Sequence, residues 1–339
     1  MGKRKICKIV FVILSIFLCV AFYELFGICI AYKKQPEVSN TIKKETQNDS
    51  WNERSENMER AVIIEKNPVA LLQRVRLIRN AKEDIILSTF AFQSDESGKL
   101  ILGALHDAAD RGVHVRLLVD GMESWVDMEG NPYFYGLSSH ENVEIKLYNK
   151  ANPLKPWKMM GRMHDKYLIA DGKTYILGGR NTYNYFLGDF PGHKNYDRDV
   201  LVVCDEPEKE NSVNQLLEYF ETIWEQEDSG YFHDNKKLAN RKSVKNAVLE
   251  LQNGYQKYFE ENKERICDTD YTDETFETEK IALVSNPIHT GPKEPVVWYQ
   301  LGELMKNAKE RVKIHTPYII CNDMMYNTWK EIAERVPDF

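Results

Sequence analysis

Residues 161–181 read GRMHDKYLIADGKTYILGGRN. The run is two short apolar segments joined by Asp171-Gly172, a dipeptide suited to a tight hairpin turn. On a strand, residues two apart share a face, so His164 and Lys166 are expected to project together while Asp165 points away. TYILGG returns as the neighbouring strand, and Gly178-Gly179 leaves room for a ligand to approach the backbone with no Cβ in the way. Asn181 then brings an amide near the same pocket. An imidazole, an ammonium and an amide converging from adjacent strands form a cradle for a phosphate. The lysine supplies charge, the asparagine oriented donors, and the histidine a nucleophile or proton carrier.

Outward from this hairpin the chain alternates helix and strand. ALLQRVRLIRNAKE, LILGALHDAADRG and VNQLLEYFETIWEQ carry apolar residues at helical spacing. IILSTFAF, VHVRLLVDG, VEIKLYN and DVLVVCD read as buried strands. That order predicts an α/β fold, a mixed sheet flanked by helices on both faces. One stretch recurs: LIRNAKEDIILSTFAF at 77–92 aligns with LMKNAKERVKIHTPYI at 304–319, an offset of 227 (307 − 80). A helix-then-strand opening is used twice.

Before the alternation lies a different composition. MGKRKICK leads into a 24-residue apolar run, 9–32, with Glu24 as its one charge, long enough to span a bilayer as an uncleaved anchor. Lysines and arginine flank the run on both sides, with the tighter cluster before it, which places the N-terminus inside and the main domain outside the cytoplasm. Residues 33–60 are polar and poor in aliphatics, the composition of a disordered tether. Lys146, Lys150, Lys155, Lys158 and Arg162 crowd the approach to the hairpin, with Trp157 among them. Such a run reads either as a solvated loop or as a surface for anionic headgroups.

The balance of 45 basic and 52 acidic residues, net charge −7, speaks against nucleic acid as a partner. Six cysteines, three of them (Cys7, Cys19 and Cys29) in the N-terminal segment that holds the apolar run, show neither zinc spacing nor a disulfide framework, and no metal or cofactor is expected.

The constellation His164, Lys166, Asp171, Gly178, Gly179 and Asn181 resembles the HKD signature of the phospholipase D superfamily, with Gly179 where many members have serine. The flanks RNAKEDIILSTFAF, LHDAADRGVHVRLLVDG and DRDVLVV resemble the cardiolipin synthase branch. The resemblance implies catalytic roles for His164, Lys166 and Asp171, and substrate contacts from Gly178, Gly179 and Asn181. It also implies an acidic partner for the histidine, for which Asp199 is the candidate and Asp197 the alternative. The division it implies is an anchor at 1–32, a tether at 33–60, and a first phospholipase D-like repeat at 61–227. A charged helical connector at 228–295 and the start of a second repeat at 296–339 complete it. The activity implied is phosphatidyl transfer between anionic phospholipids such as phosphatidylglycerol, through a phosphohistidine, at a membrane. The alternatives are a hydrolase of the same superfamily or a catalytically silent membrane protein. In that family two HKD motifs meet at one pocket. His164 is the one histidine here with a lysine two residues on. The second motif is therefore expected beyond residue 339, near position 391 (164 + 227), or else on a second chain, and the 339 residues alone are expected to be inactive.

Overall fold

The computed structural model describes residues 3–48, 59–206, 209–233, 235–316 and 318–339. Among them the frame is nine strands: β1 (Glu59–Ile64), β2 (Asp84–Thr89), β3 (His114–Asp120), β4 (Val143–Tyr148), β5 (Lys166–Ala170), β6 (Thr174–Gly178), β7 (Asp199–Cys204), β8 (Ser229–Tyr231) and β9 (Phe276–Glu277). They make one sheet in the order β8-β4-β3-β2-β5-β6-β7-β1-β9. β2, β3 and β4 run parallel, and the other neighbouring pairs are antiparallel. The helices are α1 (Lys3–Ala31), α2 (Asn40–Asn48), α3 (Asn67–Asn80), α4 (Glu96–Asp110), α5 (Gly121–Asp127), α6 (Pro132–Ser138), α7 (Ser212–Trp224), α8 (Lys242–Glu261), α9 (Lys263–Cys267), α10 (Val296–Lys306) and α11 (Asp323–Arg335).

Parallel strands need a crossover, and α4 supplies the one between β2 and β3. Asp95 starts it by accepting the Gly98 amide at 3.0 Å, and Gly112, at φ +91, ends it where a side chain would be strained. Alternation along each strand then builds two cores. Ile85, Leu87, Val115 and Leu117 face α3, α4, α6 and α8. Ile86, Leu118 and Ile169 face α7, whose Leu216, Phe220 and Trp224 close the other side. Covering both faces explains why β2 and β3 are apolar nearly throughout.

The register decides where chemistry can happen. Thr89 pairs with Lys166, Asp120 with Tyr148, and Gly178 with Asp199. The ends of β2, β3 and β6 and the starts of β5 and β7 therefore share one edge of the sheet.

Outside the alternating segment the structure departs from expectation. The run 33–60 is not wholly irregular, because α2 occupies part of it and its end enters β1. There the buried Glu59 carboxylate accepts the Ser212 hydroxyl at 2.6 Å. Residues 49–58 of that expected tether lie outside the described residues. The repeated opening is half formed: its helix is α10, but the described residues of its second part, 313–316 and 318–320, are exposed and carry no strand. Its counterpart β2 is hydrogen-bonded between β3 and β5, whereas among the described residues the second copy has only the isolated bridge of Arg311 with Asp338. α1 packs its C-terminal third on the turn Pro156–Lys158: the Tyr23 hydroxyl donates to the Leu154 carbonyl at 2.8 Å, and a Cβ at Gly27 would meet Pro156 at 2.6 Å.

Candidate functional site

At the shared sheet edge, Asp120 ends β3 with a buried carboxylate that needs donors. It takes the amides of Met122, Glu123 and Met163, at 3.0, 3.2 and 3.1 Å, and the Arg162 guanidinium at 2.8 Å. This fastens the segment leading into β5. Arg162 also pairs with Glu123 at 3.1 Å and lies 4.9 Å from the Phe90 ring centre. The His164 ring meets the same phenyl edge-on, centroids 4.6 Å apart, and Lys166 Nζ lies 5.3 Å from it. Phe90, just beyond β2, is thus a wall against which three cationic or basic groups are set.

His164 stands at the mouth of a cavity of about 350 Å³ that Lys166 and Gly178 also line. Burial, then the Lys166 charge, pushes the imidazole pKa down, which keeps the ring neutral and its lone pair available. Lys166 is 5 % exposed, and burial lowers its ammonium to about 8, against the pull of Asp165, Asp197 and Asp120. Its Nζ donates to the His164 carbonyl at 2.7 Å and makes no ion pair among the described residues. A desolvated ammonium with one neutral partner is costly alone and is relieved by an anion.

The other expected site residues divide. Asp165 does not point away: residues 162–165 precede β5, so the two-residue alternation has not begun, and Asp165 lines the same cavity. Its Oδ2 accepts the Tyr219 hydroxyl of α7 at 2.7 Å, and burial raises its pKa. Asp171 sits at the opposite end of β5, some 17 Å of strand away. Its carboxylate accepts the amides of Lys82, Glu83 and Asp84 at 2.8, 2.8 and 3.1 Å, tying the hairpin to the start of β2. Asn181 is buried and accepts the Ala91 amide at 3.2 Å, which fixes the chain after β6 to the end of β2 rather than lining the cavity. Asp199 is buried between Arg74 and Arg180, at 2.9 and 3.2 Å, and neither oxygen hydrogen-bonds His164. The alternative, Asp197, is one of three aspartates whose charges reach Lys166, after Asp165 and with Asp120. Gly178 and Gly179 are required by a protein neighbour: a Cβ on either would stand 2.1 Å from the Asp199 or Asp197 carboxylate.

Most of the basic approach is spoken for as well. Lys146 donates to the Trp224 carbonyl at 2.8 Å, Lys150 to that of Tyr231 at 2.6 Å, and Lys158 pairs with Asp228 at 2.6 Å. Sequence reasoning missed Phe90, Asp120, Tyr219 and Lys293. An Asp-Gly closing the strand VHVRLLVDG signals Asp120, whereas nothing local marks the others. Among the described residues no group of three His, Cys, Asp or Glu is arranged to hold a metal ion.

Residues 74–224 match the family model described as cardiolipin synthase, PLD-like domain. An uncharacterized protein of Helicobacter pylori is 28% identical over 298 residues, covering 80% of this chain and 56% of its own length. Cardiolipin synthase C of Escherichia coli is 29% identical over 171 residues, 46% of this chain and 34% of that protein. Cardiolipin synthase 1 of Staphylococcus aureus is 36% identical over 117 residues, 34% of this chain and 23% of that one. The chain spans about half the length, or less, of these curated relatives. Phosphatidylserine synthase from Haemophilus influenzae shares the fold, with a TM-score of 0.54 at 16% identity over 88% of this chain and 65% of that chain. The matched segment, residues 74–224, is thus a PLD-like domain of the cardiolipin synthase kind, set in a chain that resembles cardiolipin synthases over part of their length.

Proposed function

We propose that the protein transfers phosphatidyl groups between phospholipids, with His164 as nucleophile. The observation that carries this reading is the pairing, at one cavity mouth, of a neutral imidazole with a buried lysine that makes no ion pair among the described residues. The imidazole lone pair attacks phosphorus, forming an N–P bond as the bond to the leaving alkoxide breaks. Lys166 offsets charge on the non-bridging oxygens. The alkoxide needs a proton, and His164 is the one imidazole lining this cavity among the described residues. A second acid from outside the cavity therefore completes the site, on further chain or on a second copy. The acceptor hydroxyl then loses its proton, attacks phosphorus and frees His164. Leu177, Leu216, Leu283 and Ile288 along the cavity favour a lipid over a nucleic acid.

The helix Cys7–Ala31 is long and apolar enough to cross a membrane, and it supports anchoring of the protein there. Leu154, Trp157 and Met160, exposed beside α1, would meet the same leaflet and bring the His164 mouth to the headgroups. The test is lipid turnover by membranes carrying the product of the intact gene, supplied with labelled phosphatidylglycerol. Cardiolipin with release of glycerol is the expected product, phosphatidic acid would mean hydrolysis, and His164→Asn should abolish both. Undiminished turnover by His164→Asn would remove this histidine from the mechanism.

A further inference from the structure

Lys293 belongs to the stretch between β9 and α10, far in sequence from the hairpin, yet it lines the same cavity as His164 and Lys166. It is partly buried, and its Nζ reaches one protein acceptor, the Arg162 carbonyl, at 3.4 Å. Lys166 takes the His164 carbonyl, two residues along the same lead into β5. Two ammonium groups are thus hung from neighbouring backbone oxygens, and neither forms an ion pair among the described residues.

Other cations nearby are treated differently. Arg162 is neutralised by Asp120 and Glu123, and Lys158 by Asp228. Among the described residues the one carboxylate lining the cavity is Asp165, already bonded to the Tyr219 hydroxyl. Its single charge cannot balance two ammoniums. Burial depresses the Lys293 pKa and Asp165 partly restores it, so this ammonium also pays for desolvation without close compensation. Ser285 and Asn286 add neutral polar groups, while Leu283, Ile288 and Val297 keep the remaining wall apolar. The cavity thus has a positive surplus at one end and room for hydrocarbon beside it.

We infer that Lys293 is a second phosphate-binding cation of the His164 site, holding the non-bridging oxygens of a phospholipid phosphodiester opposite Lys166. The inference rests on the phosphodiester reading of the site and adds a residue from the connector, which the hairpin does not contain. It also gives the segment 281–297 a role: it walls the cavity and delivers charge to it.

The test is calorimetric titration of the full chain in detergent with dibutyroyl-phosphatidylglycerol, inorganic phosphate and dibutyroylglycerol. Lys293→Met should weaken phosphatidylglycerol binding roughly tenfold or more, the scale of one charge-assisted contact, and Lys293→Arg should recover most of it. The neutral diacylglycerol should bind the two forms alike, and inorganic phosphate should lose less than the lipid because it forgoes the apolar wall. Thermal melting of Lys293→Met should be unchanged or raised, since an uncompensated ammonium is removed. Wild-type affinity in Lys293→Met, or equal weakening toward neutral and anionic lipid, overturns the inference while leaving the His164 reading intact. No binding of any phosphate probe by the wild-type chain overturns both.

Discussion

Lys166 carries the most direct physical consequence of the site. Its ammonium titrates near 8 when folded and near 10.5 when free, so between these values the unfolded chain binds more protons. Stability therefore rises with pH through that window, and below it the buried charge is a standing cost. Lys166→Met should raise stability at pH 7 by on the order of 2 kcal/mol, with the gain fading toward pH 10, as denaturant melts at several pH values would show. Function should move the other way. Phosphate-ester binding needs the charged lysine and should weaken as pH passes about 8. Turnover needs neutral His164, whose pKa lies below the ordinary 6.5, so the acid limb should fall below that value. A profile of kcat/KM with its alkaline limb near 10 would contradict the burial argument. Asp199 belongs to another class: Asp199→Asn strands two buried guanidiniums, and a loss of roughly 3–5 kcal/mol is expected in chemical denaturation.

At the scale of elements, the hairpin β5–β6 shows what one sequence could and could not reveal. Two short apolar runs and the Asp-Gly turn located both strands, and the turn is as required: Asp171 at φ +51 and Gly172 at φ +57. His164 and Lys166 sit at that strand's start, beside one cavity. What stayed hidden was set by tertiary partners. Asp171 could be grouped with His164 only while the sheet register was unknown, since its ligands, the amides at 82–84, come from another segment. Asn181 and the two glycines also answer to neighbouring strands rather than to a ligand. β1 and α2 escaped because polar residues predominate around them, and Glu59 is buried only by virtue of Ser212. Asp171→Ala should therefore cost about 1–3 kcal/mol in melting experiments, through three orphaned amides, with phosphate-ester affinity unaltered. A large loss of affinity in a variant that melts normally would return Asp171 to the site.

For the whole molecule, α1 and the cavity mouth are linked through the turn Pro156–Lys158, whose residues pack on the helix. Removing residues 1–32 should release the protein from membranes in carbonate washes. If the full-length protein is itself extracted by carbonate, α1 is not an anchor. The edge that brings Asp197, ahead of β7, within electrostatic reach of Lys166 at the start of β5 is a property of the entire sheet order, and it is there that we place the site. The most direct test of that site is peptide mass spectrometry of the intact gene product, acid-sparing, after brief exposure to phosphatidylglycerol vesicles. The account predicts a phosphatidyl adduct on His164, lost in His164→Asn and diminished in Lys166→Met. Turnover of lipid with the adduct on another residue, or unchanged adduct formation in Lys166→Met, would contradict it.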